Sequence, residues 1–247
     1  MTYPLVSVII TNYNYGKYLT EAVKSIAQQE YGPIELIIVD DGSDDDSRKV
    51  IEELKIKYNE RFQQFSTHFL HVNQGINGAL NVAINDIRGE IAVIFDADDV
   101  LDKTHLKKLV SALLEKNKID PSIMFSYCDC YLIDEGGRKI QRGLSKPFDS
   151  KLIETESFLP RPSPIFSSVL RSFFPLPQNL SEDPKHSLWK NICKEGNKGV
   201  YVPEPLFSYR IHTENISDIG DKIRAVHRLG LADQPIYLSD YWPKSKE

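Results

Sequence analysis

Four short apolar runs, each ending abruptly in polar residues, punctuate the N-terminal part of the chain. Leu5–Ile10 (LVSVII) exits into Thr11, Asn12, Tyr13 and Asn14, and Glu35–Val39 (ELIIV) into Asp40, Asp41, Gly42 and Ser43. His68–Val72 (HFLHV) exits into Asn73, Gln74 and Gly75, and Ile91–Phe95 (IAVIF) into Asp96, Asp98 and Asp99. Such runs, rich in β-branched residues and bounded by turn signals, read as buried strands. Between them apolar residues recur at helical spacing: Leu19, Ala22, Val23 and Ile26, then Val50, Leu54 and Tyr58, then Ile76, Ala79, Leu80 and Ala83. Strands and helices in alternation, with continuously apolar strands, predict an α/β fold with a mostly parallel central sheet flanked by helices. Open sheets of this kind bind ligands at the carboxyl ends of their strands, near a switch in strand order. Three polar clusters, after Ile10, Val39 and Phe95, all fall on that side and point to a nucleotide crevice.

The 247 residues suit one sizeable domain with a tail, or two small domains closely joined. With 41% hydrophobic residues the chain can bury a core, and its net charge of −5, without a basic block, argues against a nucleic-acid partner. Cys128, Cys130 and Cys193 are too few and too scattered for a disulfide framework, and Cys128-x-Cys130 lacks metal-site spacing. MTYPLVSVII has no basic region or cleavage motif, and no apolar run approaches the ~20 residues of a membrane span. The expected location is cytoplasmic, with peripheral contact at the inner membrane face left open.

Beyond the acidic exit, Leu106, Leu109, Val110, Leu113 and Leu114 form the core stripe of a further helix. Met124–Ile133 reads as a strand or strand pair before the turn Glu135-Gly136-Gly137-Arg138. The stretch from Lys146 to Pro177 holds six prolines and reads as loop that carries specificity rather than scaffold. Ser181-Glu182-Asp183-Pro184 looks like a helix start, with Leu188, Trp189 and Ile192 on the buried face. Val200–Val202 and Leu206–Tyr209 read as two short strands, and Arg210–Ser217 (RIHTENIS) as polar and unlike a core. A basic helical piece follows around Lys222–Leu231.

Several of these residues could do chemistry. Two carboxylates about 5 Å apart repel by about 3 kcal/mol at an effective dielectric of about 20, which a bound cation relieves. Oxygen-only ligands select hard ions, Mn2+ or Mg2+, which leave positions open for phosphate. Asp96, Asp98 and Asp99 fit that description, and equally a solvated turn that caps the next helix. Asp40 and Asp41 suit a base or ribose contact, or an Asx turn. Neither G-x-G-x-x-G nor GKS/T is present, so no glycine loop cradles phosphate and a metal would have to hold it. Asp183 has the chemistry of a general base and, as readily, that of an acid at a helix start. Arg210 and His212 suit metal ligation or phosphate neutralisation, and Tyr13 and Tyr15 suit stacking on a base; all four have structural alternatives.

Taken together, VSVIITNYNYGKYLTEAVKSI, ELIIVDDGSDDDS, NQGINGALNVAI, GEIAVIFDADD, SEDPKHSLW and YRIHTENIS resemble, in order and across about residues 5–217, the inverting family 2 glycosyltransferases with the GT-A fold. The resemblance implies transfer of a sugar from a nucleotide diphosphate sugar, a UDP-sugar foremost, to a glycan or lipid-linked acceptor hydroxyl in cell-surface polysaccharide or glycolipid assembly. It places Thr11, Tyr13, Asp40, Asp41 and Asp96 at the nucleotide, Asp96, Asp98 and His212 at the metal, and Asp183 as the catalytic base. It divides the chain into a nucleotide-sugar half (residues 1–101), an acceptor half of the same domain (102–217) and a C-terminal helical tail (218–247). One departure is Leu80, where relatives commonly carry arginine before the residue matching Asn81; another is the proline-rich segment before Glu182-Asp183. The rival readings are a sugar-phosphate nucleotidyltransferase, which would want a glycine-rich basic loop after the first strand, and a binding module of the same fold without turnover.

Overall fold

The computed structural model describes residues 3–178, 183–212 and 234–240. Its first half alternates as the apolar pattern requires: β1 (Val6–Asn12), α1 (Gly16–Ala27), β2 (Ile34–Asp40), α2 (Ser47–Tyr58), β3 (Gln64–Phe69), α3 (Gly75–Ala83) and β4 (Ile91–Asp96). The rest comprises β5 (Val100–Leu101), α4 (His105–Asn117), β6 (Ile123–Ile133), β7 (Lys139–Leu144), β8 (Ile165–Phe166), α5 (Ser167–Arg171), α6 (Pro184–Lys194), β9 (Lys198–Arg210) and β10 (Ile236–Tyr237). One sheet runs β10-β7-β6-β8-β4-β1-β2-β3, and β9 pairs with both β6 and β5. The β4-β1-β2-β3 block is parallel, and β8 joins it to β6 by antiparallel pairing. The result is the expected α/β architecture with a mostly parallel central sheet.

Successive strand residues face opposite sides of a sheet, so a strand buried on both faces feeds two cores. Val8, Ile10, Leu36, Ile38, Val93 and Phe95 pack on one side against α1, α2 and α4, through residues such as Leu19, Val23, Leu54 and Leu109. Ile9, Ile37, Val39, Ala92 and Ile94 pack on the other side against α3 and α6, through Ala79, Leu80, Leu188 and Trp189. Each large aliphatic buried in this way contributes roughly 1.5–3 kcal/mol. Among the described residues no helix is long and apolar enough to cross a membrane.

Three expectations shift. The third strand is Gln64–Phe69, not His68–Val72. It is an edge strand, with Phe65 buried and His68 paired to Asp86 at 2.7 Å, while Val72 is 70% exposed. An edge strand needs only one apolar face, so QFSTHF does not advertise itself. The two short strands expected after Gly199 form one strand, β9, whose ladder with β6 shifts register around Asp129. Pro203 and Pro205 lie at those irregularities, and a proline has no N–H to give a ladder. Arg210, expected outside the core, is 1% exposed. The basic piece at Lys222–Leu231 lies outside the described residues.

The register lines up the polar exits. Thr11 lies opposite Asp96, and Asn12 opposite Asp40. At the opposite edge, Glu35 is 1% exposed and accepts from Arg88 N, Gly89 N and Ser7 Oγ, which fixes the turn entering β4. A Cβ on Gly89 would stand 2.5 Å from Leu5 O and 2.8 Å from Ser7 N, both backbone atoms of the β1 edge. Gly89→Ala is therefore expected to cost about 1–3 kcal/mol by overpacking, read as a lower urea midpoint; an unchanged midpoint would show that this edge yields freely.

Candidate active site

A cleft of about 630 Å³ opens at the carboxyl ends of β1, β2 and β4. Thr11, Tyr13, Asp41, Asp96, Asp98 and Asp183 all contribute to its wall. Asp183 comes from the second half of the chain and reaches the cleft because it begins α6. Its Oδ1 accepts from His186 N at 2.9 Å, and Pro184 occupies the first helical position. An aspartate N-cap followed by proline starts a helix efficiently, and it fixes the carboxylate in space. Burial pushes Asp183 up, but Lys185, the His186 N–H and Arg161 together outweigh it and hold the carboxyl below its usual range. Glu182 lies outside the described residues.

Asp40 and Asp41 part company. Asp40 is 3% exposed and does not line the cleft. Its Oδ1 accepts from Asn12 Nδ2 at 2.7 Å and Ser43 Oγ at 2.6 Å, and its Oδ2 from Ser43 N at 3.2 Å. The carboxylate is spent on tying the β1 exit to the β2 exit, so Asp40 serves the turn rather than a base or ribose. Asp41 faces the cleft, accepting from Gln74 N at 2.8 Å. Burial raises its pKa against the pull of the Gln74 and Gly75 amides. Tyr13 is 45% exposed on the same wall.

The acidic exit of β4 is crowded. Burial raises Asp96, with Arg161 opposing and Asp98 reinforcing the shift. Burial, then Asp98 and Asp96, raise Asp99 well above the usual range. Asp96 Oδ1 lies 3.1 Å from Arg161 Nη1, and Asp98 Oδ2 lies 3.0 Å from His212 Nε2. Asp99 accepts from Arg210 N at 3.0 Å. His212 is 5% exposed, stands behind Asp98 rather than in the cleft wall, and packs against the rings of Tyr15 and Tyr18. Among the described residues no three His, Cys, Asp or Glu side chains gather closely enough to hold an ion by themselves. The donor set at the wall, two carboxylates with an imidazole on one of them, fits a hard divalent ion that completes its shell with phosphate and water.

Arg210 does not neutralise phosphate. Its Nε donates to Asp98 O at 2.8 Å and its Nη1 to Glu135 O at 2.9 Å, while Nη2 pairs with Glu21 and the guanidinium lies over the Tyr18 ring. It clamps α1, the β6–β7 turn and the acidic exit together. Sequence reasoning also missed Arg161 and Lys185, both in the cleft wall. The signal for Arg161 was its setting between Pro160 and Pro162, which stiffens the backbone carrying it. The signal for Lys185 was its place in Asp183-Pro184-Lys185, on the first turn of the capped helix.

Comparison with known proteins agrees with this fold. The profile described as "Glycosyl transferase family 2" matches residues 7–172. An uncharacterised glycosyltransferase of Nostoc sp. is 30% identical over 226 residues, covering 85% of this chain and 66% of the relative. The GalNAc(5)-diNAcBac-PP-undecaprenol beta-1,3-glucosyltransferase of Campylobacter jejuni is 29% identical over 227 residues, covering 88% and 68%. The chain thus spans about two thirds of the length of these relatives. Among solved structures, S. aureus TarS in complex with UDP superposes with a TM-score of 0.66 at 21% identity, over 83% of this chain and 60% of that one. The mannosyltransferase PcManGT from Pyrobaculum calidifontis, in complex with GDP-Man and Mn2+, superposes with a TM-score of 0.66 at 18% identity, over 93% and 63%.

Removing the Arg210 guanidinium strands the carbonyls of Asp98 and Glu135 and leaves Glu21 without its partner. Arg210→Met is expected to lower stability by about 3 kcal/mol or more, measured by urea unfolding. Arg210→Lys should recover only part of it, because one ammonium cannot span the same acceptors. A loss under about 1 kcal/mol for Arg210→Met would remove the clamp role.

Proposed function

This chain belongs to glycosyl transferase family 2, and from that premise we propose that it moves a sugar from a nucleoside diphosphate donor to an acceptor hydroxyl, with metal assistance and inversion at the anomeric carbon. The observation that carries the reading is the convergence of Asp183 with Asp41, Asp96, Asp98 and Tyr13 on one cleft at the carboxyl edge of a parallel sheet. The nucleoside end lies along Thr11, Tyr13 and Asp41, with Tyr13 offering a ring face and Asp41 an acceptor. Asp40 supports that wall from within. A UDP-sugar is the leading donor, supported by the UDP and UDP-GlcNAc complexes of TarS, and the GDP-Man complex of PcManGT makes a GDP-sugar the alternative.

Asp96 and Asp98, with His212 on Asp98, would hold Mn2+ or Mg2+. Such an ion supplies Lewis acidity to the departing diphosphate and relieves the crowded carboxylates. Asp183 takes the acceptor proton as the acceptor oxygen forms its bond to the anomeric carbon. The bond to the diphosphate oxygen breaks on the far face, and the electron pair leaves with the diphosphate. Asp183 stays ionised down past the usual carboxylate range, so the base is available throughout neutral pH. A base of such low pKa gains the proton only as the attacking oxygen becomes acidic, so proton transfer accompanies bond formation. The acceptor is a glycan or lipid-linked sugar; the Campylobacter jejuni relative, whose name specifies a undecaprenol-linked substrate, supports that class. Peripheral contact with the inner membrane face would follow from such an acceptor.

Asparagine also serves as an N-cap, so Asp183→Asn keeps the start of α6 while removing the base. It is expected to retain nucleoside diphosphate binding and to lose transfer by about a hundredfold or more, measured as product formation by mass spectrometry across a donor panel. Transfer at the unsubstituted rate would take the base role from Asp183. Asp98→Ala should instead abolish Mn2+-dependent thermal stabilisation by donor, and full retention of that stabilisation would count against the metal reading.

A further inference from the structure

We propose that Arg161 grips the diphosphate of the donor, supplying from the proline-rich loop the cation that α3 does not provide. The inference rests on the nucleotide-sugar reading above. A diphosphate brings strong negative charge to a wall that already holds Asp41, Asp96, Asp98 and Asp183. Among the residues forming that wall, Arg161 and Lys185 carry positive charge. Helix α3, whose first turn borders the cleft at Gly75 and Ile76, has no charged residue in GINGALNVA. Its Leu80 is 3% exposed, in the core. Leu80, Arg161 and Lys185 line one small cavity of about 20 Å³, so the guanidinium stem lies beside the helix that lacks a cation.

The loop that carries Arg161 is built to hold one side chain still. Pro160, Pro162 and Pro164 fix alternate φ angles. Ser163 N donates to Arg161 O at 2.6 Å, and Ser163 Oγ to Pro160 O at 2.8 Å. His105 Nε2 lies 2.7 Å from Pro162 O, and Ser126 N donates to Pro164 O at 2.9 Å. A side chain presented from a rigid backbone loses less entropy on binding than one on a free loop.

The guanidinium also has capacity to spare. Its Nη1 stands 3.1 Å from Asp96 Oδ1 but is buried and makes no aligned hydrogen bond. A buried N–H left unsatisfied is costly, and phosphate oxygens match the planar fork of arginine. Diphosphate binding exchanges this poorly aligned contact with Asp96 for aligned bonds to phosphate.

The test is calorimetric titration of the wild type, Arg161→Gln and Arg161→Lys with nucleoside, nucleoside monophosphate and nucleoside diphosphate, in both the uridine and guanosine series, with Mn2+ present. Arg161→Gln should weaken the diphosphate about tenfold or more and leave the nucleoside within about twofold, with Arg161→Lys between wild type and Arg161→Gln. Thermal melts without ligand report whether the variants fold. Unchanged diphosphate affinity in a folded Arg161→Gln overturns the inference. So does an equal loss for nucleoside and diphosphate, which would mark Arg161 as a brace for Asp96 and its loop. A wild type that binds neither diphosphate overturns the nucleotide-sugar reading itself, and the inference with it.

Discussion

Mutual repulsion among the carboxylates at the end of β4 is the constraint around which the site is arranged. A buried parallel strand delivers Asp96, Asp98 and Asp99 to one point, where burial raises Asp96 and Asp99 and the Asp98 charge reinforces both shifts. Left alone, that arrangement would open the sheet edge. Three residues from distant parts of the chain converge on it: the Arg161 guanidinium on Asp96, the His212 ring on Asp98, and Arg210, whose guanidinium meets the backbone of Asp98 and whose backbone N–H meets the Asp99 carboxylate. Asp99 and Arg210 are the most deeply buried of these, at 1% exposure each, and face inward. Asp96 and Asp98 face the cleft. The triplet is thus divided between one member that anchors the second half and two that remain available to a ligand.

The same division explains why the second half of the chain is needed. β9 crosses beside β6 and ends at Arg210, which places His212 against Asp98. α6 packs Leu188, Trp189 and Ile192 on the core face shared with α3, and its capped N-terminus then sets Asp183 at the rim. The Asp183 carboxylate reaches the rim with a local bond to His186 N rather than a long-range one. Packing of the helix delivers it, and pairing of the strand delivers His212.

Much of this could be read from the sequence because it depends on local pattern. The β1, β2 and β4 strands are buried on both faces, so their apolar runs stand out, and the acids that follow them must lie at strand exits. Asp183-Pro184 is a helix start by the same local chemistry. What the sequence hid depends on contact between distant segments. Nothing in DDGS distinguishes Asp40, turned inward to Asn12 and Ser43, from Asp41, turned to the cleft, because the choice is set by Asn12 lying opposite Asp40 in the β1–β2 register. Arg210 reads as polar surface until its four-sided cage of Asp98, Glu135, Glu21 and Tyr18 is assembled. β3 hides because an edge strand shows only half the usual pattern.

Arg161 belongs with the hidden residues, and its case shows how a loop can carry precision. A proline-rich segment with scarcely any regular structure ordinarily reads as mobile. Here its carbonyls are taken by His105, Ser126 and Ser163, and its prolines remove the backbone freedom that would otherwise oppose order. His105 is the pivotal member: wholly buried at the start of α4, it places one ring nitrogen 2.9 Å from Leu206 O on β9 and the other 2.7 Å from Pro162 O. Burial drives its pKa to about 4, which favours the neutral ring, whereas two facing carbonyls favour the ring with both nitrogens protonated. A neutral ring can donate to only one of them, so α4 makes one firm hydrogen bond and one contact by fit alone. Either way, β9 and the Arg161 loop are referred to the same helix terminus. The cation at the cleft and the strand that ends in Arg210 therefore share a single mechanical reference, and the spacing between the two basic groups that flank the acidic triplet is set by the scaffold rather than by the ligand.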